Sequence, residues 1–284
     1  MPYRCNHSKE ALKEAEALKD LLKNLAELHP DVLREHGIRP KDYHSAGVFR
    51  HALESIRGTF IAQAQAPRER FVAETLARMK AKNLICDFNF IGDAGRVDFK
   101  VEVSKGYDVA LEVKGGEGNS WNISERPTWA KEYIAWGHLD GSLNAPRDGV
   151  HAILVTRVTR DFINYGKKFD AIVFKDQLCG TVGRPCPKYA NPLQASSQIA
   201  PDIFLLPNAI PSPGATCGPI HDAQTLRFPF LLLDLYGVSK KQREPHLYQV
   251  EIDRSITVRG NPYQVKIVHE GVIVDGNNVS AASA

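Results

Sequence analysis

The sequence predicts a mixed α/β protein, a sheet with helices laid over its faces, and four stretches make the case. Gly95 to Gly118, GRVDFKVEVSKGYDVALEVKGGEG, alternates apolar and charged residues on either side of a Ser-Lys-Gly turn, as a β-hairpin does. Just before it, Pro67 to Lys82 carries Phe71, Val72, Thr75, Leu76 and Met79 at helical spacing, with Pro67 suited to the first turn. After it, Gly149 to Thr159 (GVHAILVTRVT) and Phe169 to Lys175 (FDAIVFK) are apolar runs with the character of buried strands. With Ile85 to Phe90 as a first strand and Glu125 to Leu139 as a helix, the order is helix, three strands, helix, strand.

The outer elements follow from the same signals. Ser8 to Leu28 places Leu12, Ala15, Leu18, Leu22, Leu25 and Leu28 on one helical face, with Ser8 as N-cap. Its charges are of mixed sign, so the apolar face is expected to pack on the protein or a second subunit, not on a membrane. His29-Pro30 ends it, and a shorter helix near Val48 to Ile56 completes a helical N-terminal region over residues 1–62. The core spans 63–178. From Leu178 to Asp222 proline, glycine and small polar residues prevail around one apolar run, DIFLLP. Strand character returns from Arg227, with candidates at Tyr248 to Asp253, Ser255 to Val258, Tyr263 to Val268 and Val272 to Val274, the last two joined by His269-Glu270-Gly271. Residues 179–284 thus form a loop- and strand-rich C-terminal region, and the final NNVSAASA is expected to fray.

Composition bounds the function classes. The 284 residues, 43% hydrophobic and 24% charged, suit a globular protein with a sizeable core, and a net charge of +3 permits nucleic-acid binding without demanding it. No apolar run is long enough to span a bilayer and MPYRCNHSKE is not a secretory signal, so an intracellular, cytoplasmic protein with no membrane partner is expected. Five irregularly spaced cysteines point to reduced thiols or a metal site, not a disulfide framework.

The hairpin carries the chemistry. A three-residue loop Ser104-Lys105-Gly106, with Gly106 left-handed, pairs Val103 with Tyr107 and sets Asp98 opposite Glu112. One face then reads Val97, Phe99, Val101, Val103, Tyr107, Val109, Leu111, Val113, and the other Asp98, Lys100, Glu102, Asp108, Ala110, Glu112, Lys114. Like charges facing one another cost stability, and a bound cation would offset that cost. Mg²⁺ is commonly held by one or two carboxylates together with waters and substrate oxygens, which makes Asp98 and Glu112 candidate ligands, with the backbone carbonyl of Val113 as a third. Lys114, on the same face as Glu112, could orient or help deprotonate a water attacking a phosphodiester, and Gly115-Gly116 admits close backbone approach to a phosphate. The ordinary alternative, a solvated Lys/Glu-rich sheet face, suits Glu102 and Asp108 but leaves Asp98 facing Glu112 unexplained.

GRVDF, a spacer and LEVKGG resemble the PD-(D/E)xK nuclease superfamily over about Pro67 to Val158, although Val97 stands where the motif's name puts Pro. The resemblance implies a restriction-endonuclease-like fold with an αβββαβ core and catalytic Asp98, Glu112 and Lys114. Some members add a helix carboxylate to the metal shell, for which Glu74 is the candidate. It further implies a Mg²⁺-dependent DNA endonuclease, with Mn²⁺ as a substitute, acting on double-stranded DNA. Restriction-type cleavage by a homodimer is the first expectation, since each active site cuts one strand. The alternatives are a structure-selective repair, recombination or phage nuclease, and a non-catalytic nucleic-acid-binding module of the same fold.

Two further groups stand apart from the motif. Cys179, Cys186, Cys217 and His221 are the residue types of a structural Zn²⁺ site stabilising 179–221, but their spacing matches no standard finger, and unrelated thiols are the alternative. Asn119, Ser120 and Asn122 after the Gly-rich turn, and Arg126 and Lys131 on or near the next helix, are candidate DNA contacts. Trp129 and Trp136 are expected in a core or interface stripe, and Lys167-Lys168 and Lys240 to Arg243 as surface charge.

Overall fold

The computed structural model describes residues 9–27, 35, 61, 64–92, 97–115, 121, 123–138, 151–168, 170–175, 200–216, 225–256 and 262–279. Its centre is one mixed sheet whose nine strands lie side by side in chain order. They are β1 (Asp87–Phe90), β2 (Phe99–Ser104), β3 (Tyr107–Gly115), β4 (Glu132–His138), β5 (Ala171–Lys175), β6 (Asp202–Leu205), β7 (Leu247–Arg254), β8 (Tyr263–His269) and β9 (Val272–Val279). Pairing is antiparallel from β1 to β3, parallel from β3 to β5, antiparallel to β6, parallel to β7, and antiparallel to the edge at β9.

Four α-helices are described with it: α1 (Lys9–Glu27), α2 (Gln65–Ala81), α3 (Thr159–Tyr165), which continues a π-helical turn over Leu154–Val158, and α4 (Phe228–Leu235). The expected stripe of α2, Phe71, Val72, Thr75, Leu76 and Met79, is buried. It joins Phe228, Leu232, Leu233 and Leu235 of α4 on the sheet face formed by Val101, Val109, Leu111, Ile134, Trp136 and Val173. The other face, with Ala110, Tyr133, Ala135, Ile172 and Phe174, is covered by Trp121, Ile123 and the helical segment carrying Leu154, Val158 and Phe162. Covering both faces explains why β4 and β5 are apolar at nearly every position and do not alternate. At its N-terminal side α2 meets α1 through the ion pair of Arg70 with Glu27.

The hairpin register is the expected one, with Phe99 opposite Leu111, Val101 opposite Val109 and Glu102 opposite Asp108. The turn differs in detail. Ser104 pairs with Tyr107 across a Lys105-Gly106 loop, and a bulge at Val103 restores the register. Gly106 has φ +76°, the left-handed conformation that glycine adopts without a Cβ penalty.

Several expectations are corrected. Within Glu125 to Leu139 the described residues form no helix: 123–131 is irregular and Glu132–His138 is β4, so among the described residues four strands, not three, precede the next helix. The expected strand Gly149 to Thr159 is helical over its described residues, from His151 onward, because His151, Leu154, Val155, Val158, Thr159, Phe162 and Ile163 form a buried stripe of period 3.6. The stretch from Arg227 opens with helix α4, not a strand. Val97 packs with Ala110 and Trp121 on the opposite side from Phe99, because the chain enters β2 only after Asp98. Ser255 and Ile256 lie outside any strand, whereas Asn277 to Val279 belong to β9 and do not fray. The helix near Val48 to Ile56 lies outside the described residues, as do Ser8 and Gly116.

Candidate active site

Asp98 stands one residue before β2, and backbone bonds fix it there. Its N–H donates to Leu111 O at 3.1 Å, and its carbonyl accepts Ile91 N–H at 2.8 Å. Its carboxylate Oδ2 accepts the Val113 N–H at 2.6 Å. Because N–H and C=O of one strand residue point to the same edge, the Val113 carbonyl also faces the Asp98 side. Glu112 and Lys114 project from β3 on one face, and Lys114 Nζ pairs with Glu112 Oε1. Glu112 Oε2 accepts the hydroxyl of Tyr133 from β4. Glu112 is only 6% exposed, so its face of the sheet is no solvated surface.

These groups line a cleft of about 440 Å³ whose walls are Gln65 and Arg68 of α2, Gly92, Val97, Asp98, Glu112, Val113, Lys114 and Ser124. Burial pushes the Asp98 carboxyl above its ordinary range; the Val113 N–H opposes this, the charge of Glu112 adds to it, Lys114 opposes it and Glu69 adds to it. A half-buried carboxylate raised by its surroundings, beside a second one, is a site that gains from a divalent cation. Among the described residues, no group of three or more His, Cys, Asp or Glu side chains is gathered as for an all-protein metal cage. Two carboxylates, a carbonyl and open cleft volume fit Mg²⁺, which keeps several waters and binds phosphate oxygens.

The end of β3 is held from above. Trp121 Nε1–H donates to Gly115 O at 2.8 Å, and its ring lies 5.2 Å from that of Phe174. Gly137 of β4 supplies the space, since a Cβ there would come within 2.5 Å of both rings.

The remaining candidates are placed as follows. Glu74 does not line the cleft; the α2 carboxylate that acts on Asp98 is Glu69, whose Oε1 accepts Gln65 Nε2–H at 2.7 Å. Arg126 is turned inward, its Nη1 3.0 Å from Asp170 Oδ1 and its Nε 3.2 Å from Ala130 O. Lys131 is exposed, but its N–H bonds Asp108 O at 2.8 Å, and Asp108 lies four residues before Glu112 on β3. At about 3.3 Å per residue that is about 13 Å from Glu112. Asn119, Ser120, Asn122 and the Cys179, Cys186, Cys217, His221 group lie outside the described residues. Trp136 is buried and Trp129 half-buried.

The facing pair Glu102 and Asp108 needs no cation, because Lys100 Nζ reaches Asp108 Oδ2 at 2.9 Å. A second buried acid, Glu132, stands at the opposite end of β4 from His138. It accepts the Tyr107 hydroxyl at 2.5 Å and the N–H groups of Arg227 and Phe228 at 2.5 and 3.1 Å, which caps α4 against the hairpin.

The motif reading did not single out Gln65, Arg68, Glu69, Ser124 or Tyr133. For the helix residues a signal exists: 65, 68 and 69 continue the stripe of Val72, Leu76 and Met79 toward the N-terminus, with polar residues in place of apolar ones. No protein-family model, curated protein or solved structure matches the chain.

Proposed function

We propose that this protein is a Mg²⁺-dependent DNA endonuclease, of restriction type and working as a homodimer on double-stranded DNA. The observation that supports the reading is the meeting of Asp98, Glu112 and Lys114 in one cleft, at the edge where β2 begins and β3 ends. Asp98, Glu112 and the Val113 carbonyl would hold the ion. A bound Mg²⁺ would polarise the scissile phosphate and lower the pKa of the attacking water. Lys114, whose side chain is 21% exposed, would leave Glu112 to orient that water and to balance charge building on the phosphorus oxygens. Arg68 and Gln65, across the cleft, offer donors to the non-bridging or flanking phosphate oxygens.

The pairing of both Glu112 oxygens within the chain favours a second reading, a nucleic-acid-binding module without catalysis. Plasmid incubated with Mg²⁺, and in parallel with EDTA, separates the two. Cutting that EDTA abolishes supports the nuclease, and discrete fragments support the restriction type over structure-selective cleavage. Lys114→Ala should reduce the cleavage rate at least about 10²-fold while DNA binding persists. Cleavage undiminished in that variant would remove Lys114 from the mechanism.

A further inference from the structure

We infer that Tyr133 is a positioning residue for the Glu112 carboxylate and that it sets the affinity of the cleft for a divalent cation, an inference that rests on the metal-site reading above. Parallel pairing of β3 with β4 places Ala110 beside Tyr133 and Glu112 beside Ala135. Tyr133 and Glu112 therefore sit on one diagonal of a four-residue patch whose other corners are both alanine. Those small side chains leave room for the phenol to reach along the sheet. Tyr133 is fully buried, packed in the cluster that holds Val97, Ala110 and Ile123.

The hydrogen-bond direction is determined by the donors present. The Ser124 N–H is given to the Tyr133 oxygen. The phenol's single proton goes to Glu112 Oε2. Lys114 holds the other oxygen. Two donors on opposite oxygens fix the carboxylate plane, and each oxygen keeps a second lone pair for a cation. The two donors differ in permanence. Lys114 carries its ammonium on an unbranched stem and its side chain is 21% exposed, so an arriving cation can displace that ammonium toward solvent, whereas the enclosed ring of Tyr133 has nowhere to go. Glu112 is therefore held in its ligating orientation before any ion arrives, and little of the binding free energy is lost to ordering it.

The test is calorimetric titration of the full chain, freed of metal, with MgCl₂. Tyr133→Phe, which keeps the ring and removes only the hydroxyl, should raise the Mg²⁺ dissociation constant about 10- to 100-fold. The Mg²⁺ concentration for half-maximal plasmid cleavage should rise in parallel, with the rate at saturating Mg²⁺ within about threefold of the parent. Glu112→Asp, which draws the carboxylate one methylene away from the same hydroxyl, should reproduce the loss, and adding Tyr133→Phe to it should cost no more than about twofold. An unchanged Mg²⁺ affinity in Tyr133→Phe, or a rate that stays depressed at saturating Mg²⁺, overturns the inference. A parent protein that takes up no Mg²⁺ overturns the metal-site reading beneath it.

Discussion

On the proposed Mg²⁺ site, replacing Asp98 with Asn should make the metal-free protein more stable and remove the stabilisation that added Mg²⁺ gives the parent. Asn retains an oxygen for the Val113 N–H, so the 2.6 Å bond survives in kind. What disappears is a half-buried negative charge that Glu112 and Glu69 repel and Lys114 attracts. Relief of burial is the larger part and removal of a neighbouring like charge adds about 0.2–1 kcal/mol, so a gain of about 1 kcal/mol is expected. In a chain of this size that raises Tm by about 2–4 °C in EDTA. Mg²⁺ at tenfold excess over its dissociation constant adds about 1.4 kcal/mol to a protein that binds it, so the parent should overtake the variant. Thermal melts of both proteins, with EDTA and across a Mg²⁺ series, measure the crossing. The pH dependence has a definite sign. The Asp98 carboxyl titrates above its ordinary value of 3.8, so the native state binds the proton more readily than the unfolded chain. The parent gains stability as pH falls through the folded value toward 3.8, and the variant's advantage shrinks in step. A variant that melts at or below the parent in EDTA would refute the view of Asp98 as a strained anion awaiting a cation.

Two other perturbations address the scaffold. Gly137→Ala would place a methyl group 2.5 Å from the rings of Trp121 and Phe174, and overpacking between two buried rings should cost about 3 kcal/mol. That is a Tm drop of about 6–12 °C, and an unchanged melt would contradict the packing described at the end of β3. Glu132→Ala strips acceptors from the Tyr107 hydroxyl and two backbone N–H groups at the start of α4, for an expected loss of about 2–4 kcal/mol. The midpoint of urea unfolding reads that loss, and a shift of only a few tenths of a kcal/mol would show that the cap contributes little.

What the sequence disclosed was local. The register of β2 on β3 followed from one glycine at the turn, and the inward stripe of α2 from its spacing, so Asp98, Glu112 and Lys114 could be brought together before any coordinates. The misread elements share a cause. β4, buried on both faces, has no alternation, and Trp129 and Trp136 seven apart imitated a helix. Gly149 to Thr159 taken alone looks like a strand because of its run of Ile, Leu and Val; only with Phe162 and Ile163 is the helical period of the segment from His151 complete. Tyr133 had no signature at all, because its nearness to Glu112 exists only through the parallel pairing of β3 with β4. Glu69 and Glu74 are five residues apart, about 140° around a helix, so only one of them can face the cleft.

The position of β5 bears on how the chain can be divided. Its apolar residues, Ile172 and Phe174 on one face and Ala171 and Val173 on the other, are hydrogen-bonded to β4 on one flank and to β6 on the other. A fragment ending near residue 178 would strip away β6 and leave a bare, sticky flank of unpaired amides at the middle of the former sheet. The segment that carries the Asp98, Glu112 and Lys114 cleft, however self-sufficient its motif looks on paper, therefore depends on its distant C-terminal strands to stay in solution as a single molecule.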